Sequence, residues 1–566
     1  MLQHSTSAVF RAGSWRGSRL SSRFTLTRPF TAMSLGSSLR HHSSATHRAP
    51  TGSDHQFLSV EVAAMQDSRE ADPLVESKRR QASDTVDWAA TGLCFIFPAL
   101  GGMLFGYDIG ASSGVLASLT SPQLSGTDWY DLSSFQSGLV VSMSLLGALL
   151  GSLIALASGN RLGRRTELLM AALLYGVGAG GLGVSGSLGP LLACRVLYGL
   201  GIGFAMHAAP AYIAETSPPS VRGLLISLKE AIIVGGILAG YFAGYTFIDE
   251  VGGWRSMYGM AAPLALLLGV GMAALPESPR WLLLSGAGRA EALRALVRCE
   301  GRRAADLALA AAEVDDMADN LQQAGASSSS SSSGGGGLLS SLGLELFGNS
   351  RYYRPLLVGM SLMLFQQITG QPSVLYYASQ IFERAGFAGG KDAAGIAVLL
   401  GGFKLLMTLV AVASVDKLGR RPLLLFGVSG MVAALLALTA AQGGVDAAEA
   451  AATAAGTSAA WLSAGALLLY VGCYQISFGP ISWLIVGEVF PLAVRSQAIA
   501  LATFINFASN FGVSLVLPTL QDTVGMQATY GLFSAIGVLA VANIYYNVPE
   551  TKNKTLEQIE ALWRNE

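Results

Sequence analysis

Charge is scarce in this chain of 566 residues: Asp, Glu, Lys and Arg make up 13%, about half the roughly 25% of a soluble globular domain. The charge that is present cancels, with 36 acidic and 36 basic residues, so no basic field exists to draw a nucleic acid. Cysteine is almost missing. Cys94, Cys194, Cys299 and Cys473 are too few and too scattered for a disulfide framework or a metal cluster. Five of the six histidines, at 4, 41, 42, 47 and 55, lie in the amino-terminal tail. His207 stands alone in an apolar run, where a packed or lining role outweighs catalysis. No phosphate-cradling loop occurs, and the glycines around Leu200–Phe204 follow no strand. Enzyme chemistry, a metal and a bound cofactor are therefore not expected. What is abundant is apolar: 51% hydrophobic residues and a mean hydropathy of +0.48. Such a chain cannot cover a globular surface with polar groups, which leaves a polytopic membrane protein.

Residues 1–53 hold seven arginines, Arg11 to Arg48, with no lysine and no carboxylate before Asp54. Serine and threonine are frequent and no long apolar core interrupts them, which describes an organellar transit peptide rather than a secretory signal. An ordinary cytosolic tail is the competing reading. Residues 54–86 are mixed in charge and read as a disordered tail.

A helix of about 20 apolar residues crosses the hydrocarbon core. Candidate spans fall near 89–115, 133–157, 167–188, 191–213, 224–247 and 257–275, and again near 355–382, 394–415, 422–441, 460–486, 496–519 and 527–547. The two sets define lobes at 87–276 and 351–548, followed by a tail at 549–566. The connecting stretch, 277–350, contains the serines Ser327 to Ser333 followed by the glycines Gly334 to Gly337, a flexible composition. Its Arg289–Leu321 part predicts amphipathic helices. Gly443–Ala459 reads as a smaller insertion. The halves repeat: Asn160-Arg-Leu-Gly-Arg-Arg165 returns as Asp416-Lys-Leu-Gly-Arg-Arg421, and Glu215, Pro218, Arg222 and Pro276-Glu277 return as Glu488, Pro491, Arg495 and Pro549-Glu550. Tandem halves mark transporters of alternating access with a midplane site. Both Gly-Arg-Arg loops are short and cationic, which places them on the cytoplasmic or equivalent side, together with both termini.

Nine stretches resemble the sugar porter branch of the major facilitator superfamily, in family order, over residues 88–560. They are GYDIGASSG (106–114), NRLGRR (160–165), RVLYGLGIGF (195–204), YIAETSPPSVRG (212–223), PESPRWLL (276–283), QQITGQPSVLYYA (366–378), DKLGRR (416–421), FGPISWLIVGEVFP (478–491) and PETKNKT (549–555). The look is most similar to plant and algal organellar xylose- or hexose-proton symporter-like members. The resemblance implies an all-α membrane protein of twelve transmembrane helices in two six-helix lobes. It implies secondary transport of a monosaccharide with a proton across a lipid bilayer, driven by a proton gradient, by a monomer. With the transit-like leader, the plastid envelope is the expected site; the vacuolar membrane, plasma membrane and mitochondrion are alternatives. A facilitator without proton coupling, or a non-transporting sugar sensor, would be the other outcomes.

A carboxylate such as Asp108 inside an apolar span costs about 2.5–3.5 kcal/mol on insertion scales, so it must pair or protonate. The resemblance implies that Asp108 takes the proton, with Arg195 as its partner; a static ion pair between the first and fourth helices is the alternative. For the sugar, Gln366 and Gln367 supply amides. The resemblance adds Trp483 as an apolar plate, Phe105 as an aromatic beside the sugar, and Tyr376 with Tyr377 as a gate. The sequence also departs from the family. Pro372 stands where relatives have an asparagine, and Gln371 offers an amide one position earlier, about 100° away on a helix. Glu230 and Lys404 stand on neighbouring helices where relatives carry a sugar-contacting glutamine and an asparagine, so the resemblance implies that both belong to the substrate-binding set. They are expected to pair across the lobes in at least one state, unless each reaches its own polar surface, Glu230 beside Lys229. The last constellation is Arg161, Arg164, Arg165, Glu215, Arg222, Glu277 and Arg280, with Asp416, Arg420, Arg421, Glu488 and Arg495. The resemblance implies gating salt bridges here; Asn160 replaces the usual aspartate of the first loop.

Overall fold

The computed structural model describes residues 86–566, apart from 159–160, 302–306, 329–349, 388, 451–455, 491–493, 553, 555–557, 560–562 and 564–566. The expected leader, residues 54–85 of the expected amino-terminal tail, Asn160 and the Ser/Gly run from 329 onward therefore lie outside the described residues.

Six spanning helices come first: α1 Trp88–Leu119, α2 Ser134–Ser158, α3 Arg164–Val184, α4 Leu188–Thr216, α5 Arg222–Phe247 and α6 Gly253–Ala274. Asp87 starts α1 by accepting from the backbone N–H groups of Ala89 and Ala90 at 3.0 and 3.3 Å, which satisfies donors that have no partner within the helix. The connecting stretch forms α7 Pro279–Leu284, α8 Arg289–Glu300 and α9 Leu307–Ser328. Leu293 and Leu296 of α8 pack on Ala311 and Val314 of α9. Arg289 pairs with Asp315 at 2.6 Å across the same two helices.

The second half opens with an interrupted span: α10 Ser350–Ile368, α11 Gln371–Tyr376 and α12 Ala378–Arg384. Gly370 makes the first break, with φ at +89°, in the left-handed region that glycine adopts at no steric cost. The register between Gln367 and Gln371 is therefore reset rather than helical. Next come α13 Gly390–Leu418, α14 Arg420–Ala450, α15 Gly456–Ile476, α16 Phe478–Val489 and α17 Arg495–Asn547. The last of these is two spans joined at a non-helical Gly525. Counting α15 with α16 as one span and α17 as two gives twelve transmembrane helices, six in each lobe. Part of the alanine-rich insertion is helical. It lengthens α14 as far as Ala450, and α15 begins at Gly456, in keeping with the helix propensity of alanine.

Polarity is inverted relative to a water-soluble fold. Leu173, Leu266 and Phe426 are about two-thirds exposed or more, at 68%, 69% and 72%, whereas Asp108, Arg195, Lys404 and Gln366 are buried. That is the arrangement of an integral membrane protein, whose solvent on the outside is hydrocarbon. Glycines allow the helices to approach closely, as small residues do in membranes. On α1, Gly106 and Gly110 lie against the carbonyls of Ile233 and Ile237 of α5, and a Cβ on Gly110 would come 2.8 Å from the Tyr241 nitrogen. On α4, Gly199 sits against the Ser144 carbonyl of α2. This second crossing brings α2 within reach of the charged side chain that α4 carries.

Candidate functional site

Arg195 of α4 is fully buried and every one of its nitrogens has a partner. Nη1 pairs with Asp108 of α1. Nε donates to Val140 O at 2.8 Å, and Nη2 donates to Val141 O and Ser144 Oγ at 2.9 Å and to Ser112 Oγ at 3.2 Å. The guanidinium also lies 4.9 Å from the centre of the Tyr258 ring. Ser144 donates in turn to the other carboxylate oxygen of Asp108 at 2.9 Å. The expected pair thus exists, but most of its surroundings were not legible. Ser112, Ser144 and the two α2 carbonyls supply an acceptor bed for the arginine that does not depend on the carboxylate. Even without the carboxylate's charge Arg195 would keep these acceptors, and a bare buried cation is what makes breaking such a pair costly. Small hydroxyls inside the apolar run of α2 were the only signal in the sequence.

The second lobe carries amides instead of a charge pair. Gln366 is held at both ends: Nε2 donates to Phe478 O at 2.7 Å and Gly479 O at 3.3 Å, and Oε1 accepts from Asn506 at 2.7 Å. Its neighbours are less satisfied. Gln367 Oε1, Gln371 Nε2 and the Tyr376 hydroxyl are buried with no hydrogen-bond partner among the described residues. Unmet buried polar atoms are costly; Gln367 and Gln371 flank the Gly370 break and Tyr376 ends α11, so the three leave a row of available donors and acceptors along the chain. Tyr377 is not part of that row, since its hydroxyl donates to Ser514 O at 2.8 Å. Phe105 meets Phe507 edge-on at 6.3 Å across the lobes. Trp483 packs half-buried on α16. Asn506 was missed; its amide inside an apolar run is the same signal that picked out Gln366.

Glu230 and Lys404 do not pair in this structure. Glu230 bonds to Lys229 at 2.9 Å and keeps 38% of its side chain exposed. Lys404 donates to Gln475 Oε1 at 2.6 Å. The reason is reach: the adjacent lysine satisfies the carboxylate locally, while α13 turns Lys404 toward α15.

The lobes are joined on the half away from the Gly-Arg-Arg loops. Ser113 of α1 donates to Ser379 Oγ of α12 at 2.8 Å and accepts from its backbone N–H at 2.8 Å. Tyr241 donates to Leu375 O at 2.8 Å, Lys391 pairs with Asp249 at 3.1 Å, and Ser134 bonds to Asp522. At the loop end, the described ion pairs stay within a lobe and mirror each other. Arg164 faces Glu215 at 3.7 Å and Arg420 meets Glu488 at 3.2 Å. Glu215 also accepts from Ser278 at 2.5 Å, as Glu488 does from Thr551 at 2.6 Å. Glu277 accepts from the backbone N–H of Arg165 at 2.9 Å, and Glu550 from those of Arg420 and Arg421 at 3.1 and 3.0 Å, each at the start of a spanning helix. Burial acts to raise the Glu550 carboxyl, but backbone N–H bonds from Lys552, Arg420, Arg421 and Thr551 outweigh it and hold it below the usual value. Arg165 and Arg421 reach carbonyls of the last spans of their lobes, Met272 O at 3.0 Å and Tyr545 O at 2.6 Å. Arg222 and Arg495 bond to Ser217 O and Phe490 O at 3.3 and 3.1 Å. Arg161 and Arg280 are exposed; the Asp416 side chain is outside the described residues.

Two repeated six-helix lobes, a buried carboxylate–guanidinium pair in one and a row of amides in the other define a secondary transporter of the major facilitator fold. Residues 94–563 match the family model "Sugar (and other) transporter", and the chain belongs to that family. It is 48% identical over 499 residues to the D-xylose-proton symporter-like 3, chloroplastic, of Arabidopsis thaliana, covering 86% of this chain and 85% of that one. It is 36% identical to the D-xylose transporter of Levilactobacillus brevis, over 84% and 96% of the two chains. Among solved structures, the inward open conformation of the xylose transporter XylE from E. coli superposes with a TM-score of 0.66 at 27% identity, covering 83% of this chain and 99% of that one. The proton:xylose symporter XylE bound to 6-bromo-6-deoxy-D-glucose gives 0.64 at 29%, covering 84% and 99%.

Proposed function

We propose that this protein moves a monosaccharide, a hexose or xylose, together with a proton by alternating access. The observation that carries the proposal is the double set of partners around Arg195, an ion pair to Asp108 plus four uncharged acceptors. Asp108 acts as the proton carrier and Arg195 as the residue that sets its affinity. Gln366, Gln367 and Gln371 with Tyr376 contact the sugar hydroxyls, and Trp483 and Phe105 cover its C–H face. Sugar and proton favour the transition between the two open states through contacts that differ between them. Bridges between lobes on the side away from the Gly-Arg-Arg loops support an assignment to the state closed on that side. The mirrored arginine–glutamate clusters brace each lobe and engage across the lobes when the loop side closes. The names of the xylose and xylose-proton relatives support the substrate class.

The protein works as a monomer in the lipid bilayer, driven by the proton gradient without a cofactor. The arginine-rich, acid-free leader and the chloroplastic relative support the plastid envelope as its membrane. Uptake of a labelled sugar panel in proteoliposomes, with and without an imposed pH gradient, tests the proposal. Accumulation against a sugar gradient only when the pH gradient is present is expected; equal uptake in both conditions would leave a facilitator.

A further inference from the structure

Lys404 is a cation in the middle of a span, and no carboxylate lies within ion-pair distance of it among the described residues. It is buried. Its ammonium donates to Gln475 Oε1 at 2.6 Å and lies 5.5 Å from the centre of the Tyr474 ring. Both partners belong to the last turn of α15, immediately before the span breaks. At the break Ser477 has φ −110° and ψ −94°, neither helix nor strand, and α16 begins at Phe478. A helix that ends inside the membrane leaves its last carbonyls without intrahelical donors and presents the negative end of its dipole. Ser477 Oγ covers one of these, donating to Cys473 O at 2.7 Å. A cation seated on the same turn complements the rest.

The break connects to the amide row. Phe478 and Gly479, the first residues beyond it, offer the carbonyls that hold Gln366. Tyr474, just before it, has its ring centre 6.3 Å from that of Phe478 across the break. The ammonium and the Gln366 amide therefore grip the two sides of one backbone discontinuity. Glu230 of the other lobe lies within electrostatic reach of Lys404 while bonded to Lys229.

We propose that Lys404 is a positioning residue for sugar recognition: through Gln475 and Tyr474 it fixes the break between α15 and α16, and thereby the orientation of the Gln366 amide. It touches no sugar hydroxyl itself. The inference rests on the sugar-binding role given above to Gln366.

Two measurements on the full-length protein test it. The first needs no sugar: hydrogen exchange of peptides covering residues 470–485 in detergent. Lys404→Met is expected to speed exchange there by at least about fivefold while leaving α1 and α4 unchanged, and Lys404→Arg to restore protection. The second is counterflow of labelled xylose. Lys404→Met should raise KM about tenfold with kcat changed less than about threefold, and Lys404→Arg should bring KM back. Adding Gln475→Leu to Lys404→Met should change KM less than about twofold further, because both act through one link. Unchanged exchange at the break together with an unchanged KM would overturn the proposal, as would fully additive effects of the two substitutions. If Lys404→Met does not fold, Lys404→Gln removes the charge while keeping a donor and is read the same way. If wild-type protein takes up no monosaccharide, the transport reading fails, and the exchange measurement alone decides whether Lys404 fixes the break.

Discussion

The two lobes descend from one repeated pattern but hold their polar atoms in opposite ways. In the first, Asp108 and Arg195 sit in a closed shell where each guanidinium nitrogen and both carboxylate oxygens have partners. In the second, Gln366 is tied down while Gln367, Gln371 and Tyr376 keep buried atoms without partners. A charge in low dielectric demands a complete shell whatever the state of the substrate. A site for a neutral polyhydroxyl ligand needs the reverse, atoms waiting for a partner that arrives. The saturated charge pair and the open amides thus lie in different lobes.

That contrast can be broken from the charged side first. Asp108→Asn should abolish accumulation of sugar against its gradient, a loss of about 100-fold in the steady-state ratio, while exchange of labelled for unlabelled sugar persists; accumulation in proteoliposomes with an imposed pH gradient measures it. Survival of concentrative uptake would reduce the pair to a brace. On the amide side, Gln366→Ala leaves the Phe478 carbonyl and Asn506 without partners. At about 1–3 kcal/mol for such groups, KM should rise roughly 5- to 150-fold with little change in maximal exchange rate.

Sharper still is the comparison of the mirrored clusters at the loop end. Glu215→Gln and Glu488→Gln remove one carboxylate charge from each lobe. Both pairs are largely buried, with side chains 12–19% exposed, so each substitution should lower unfolding stability by about 1–3 kcal/mol. Accessibility of a reporter cysteine on the loop side should also shift by a fewfold if the clusters bias the open state. Lower stability with no shift in accessibility would leave them as topology anchors. The smallest expected effect concerns Glu550. Its carboxyl is held below the usual value in the folded protein, so the stabilisation is present above the unfolded value of about 4.3 and is lost as pH falls through the folded one. Glu550→Gln should therefore lower the melting temperature by about 1 °C at neutral pH, and the difference from wild type should vanish in acid; a gap that widens on acidification would refute the assignment.

Much of this was written in local pattern. Apolar runs of the right length give the spans, the two Gly-Arg-Arg loops give the repeat, and a lone carboxylate in the first span announces Asp108. Those features depend on neighbours in the chain or on transfer from water to lipid, and both can be read residue by residue. The partners of each buried group were decided elsewhere. Ser144 reaches Arg195 because Gly199 lets α2 and α4 touch. Lys404 meets Gln475 rather than Glu230 because α13 faces α15 at that depth. Gln371 begins a new helix because Gly370 adopts a positive φ. Hydropathy placed the ionisable and amide side chains in the membrane; only helix crossing angles and breaks, which join residues far apart in sequence, settled which of them are satisfied and which stay open.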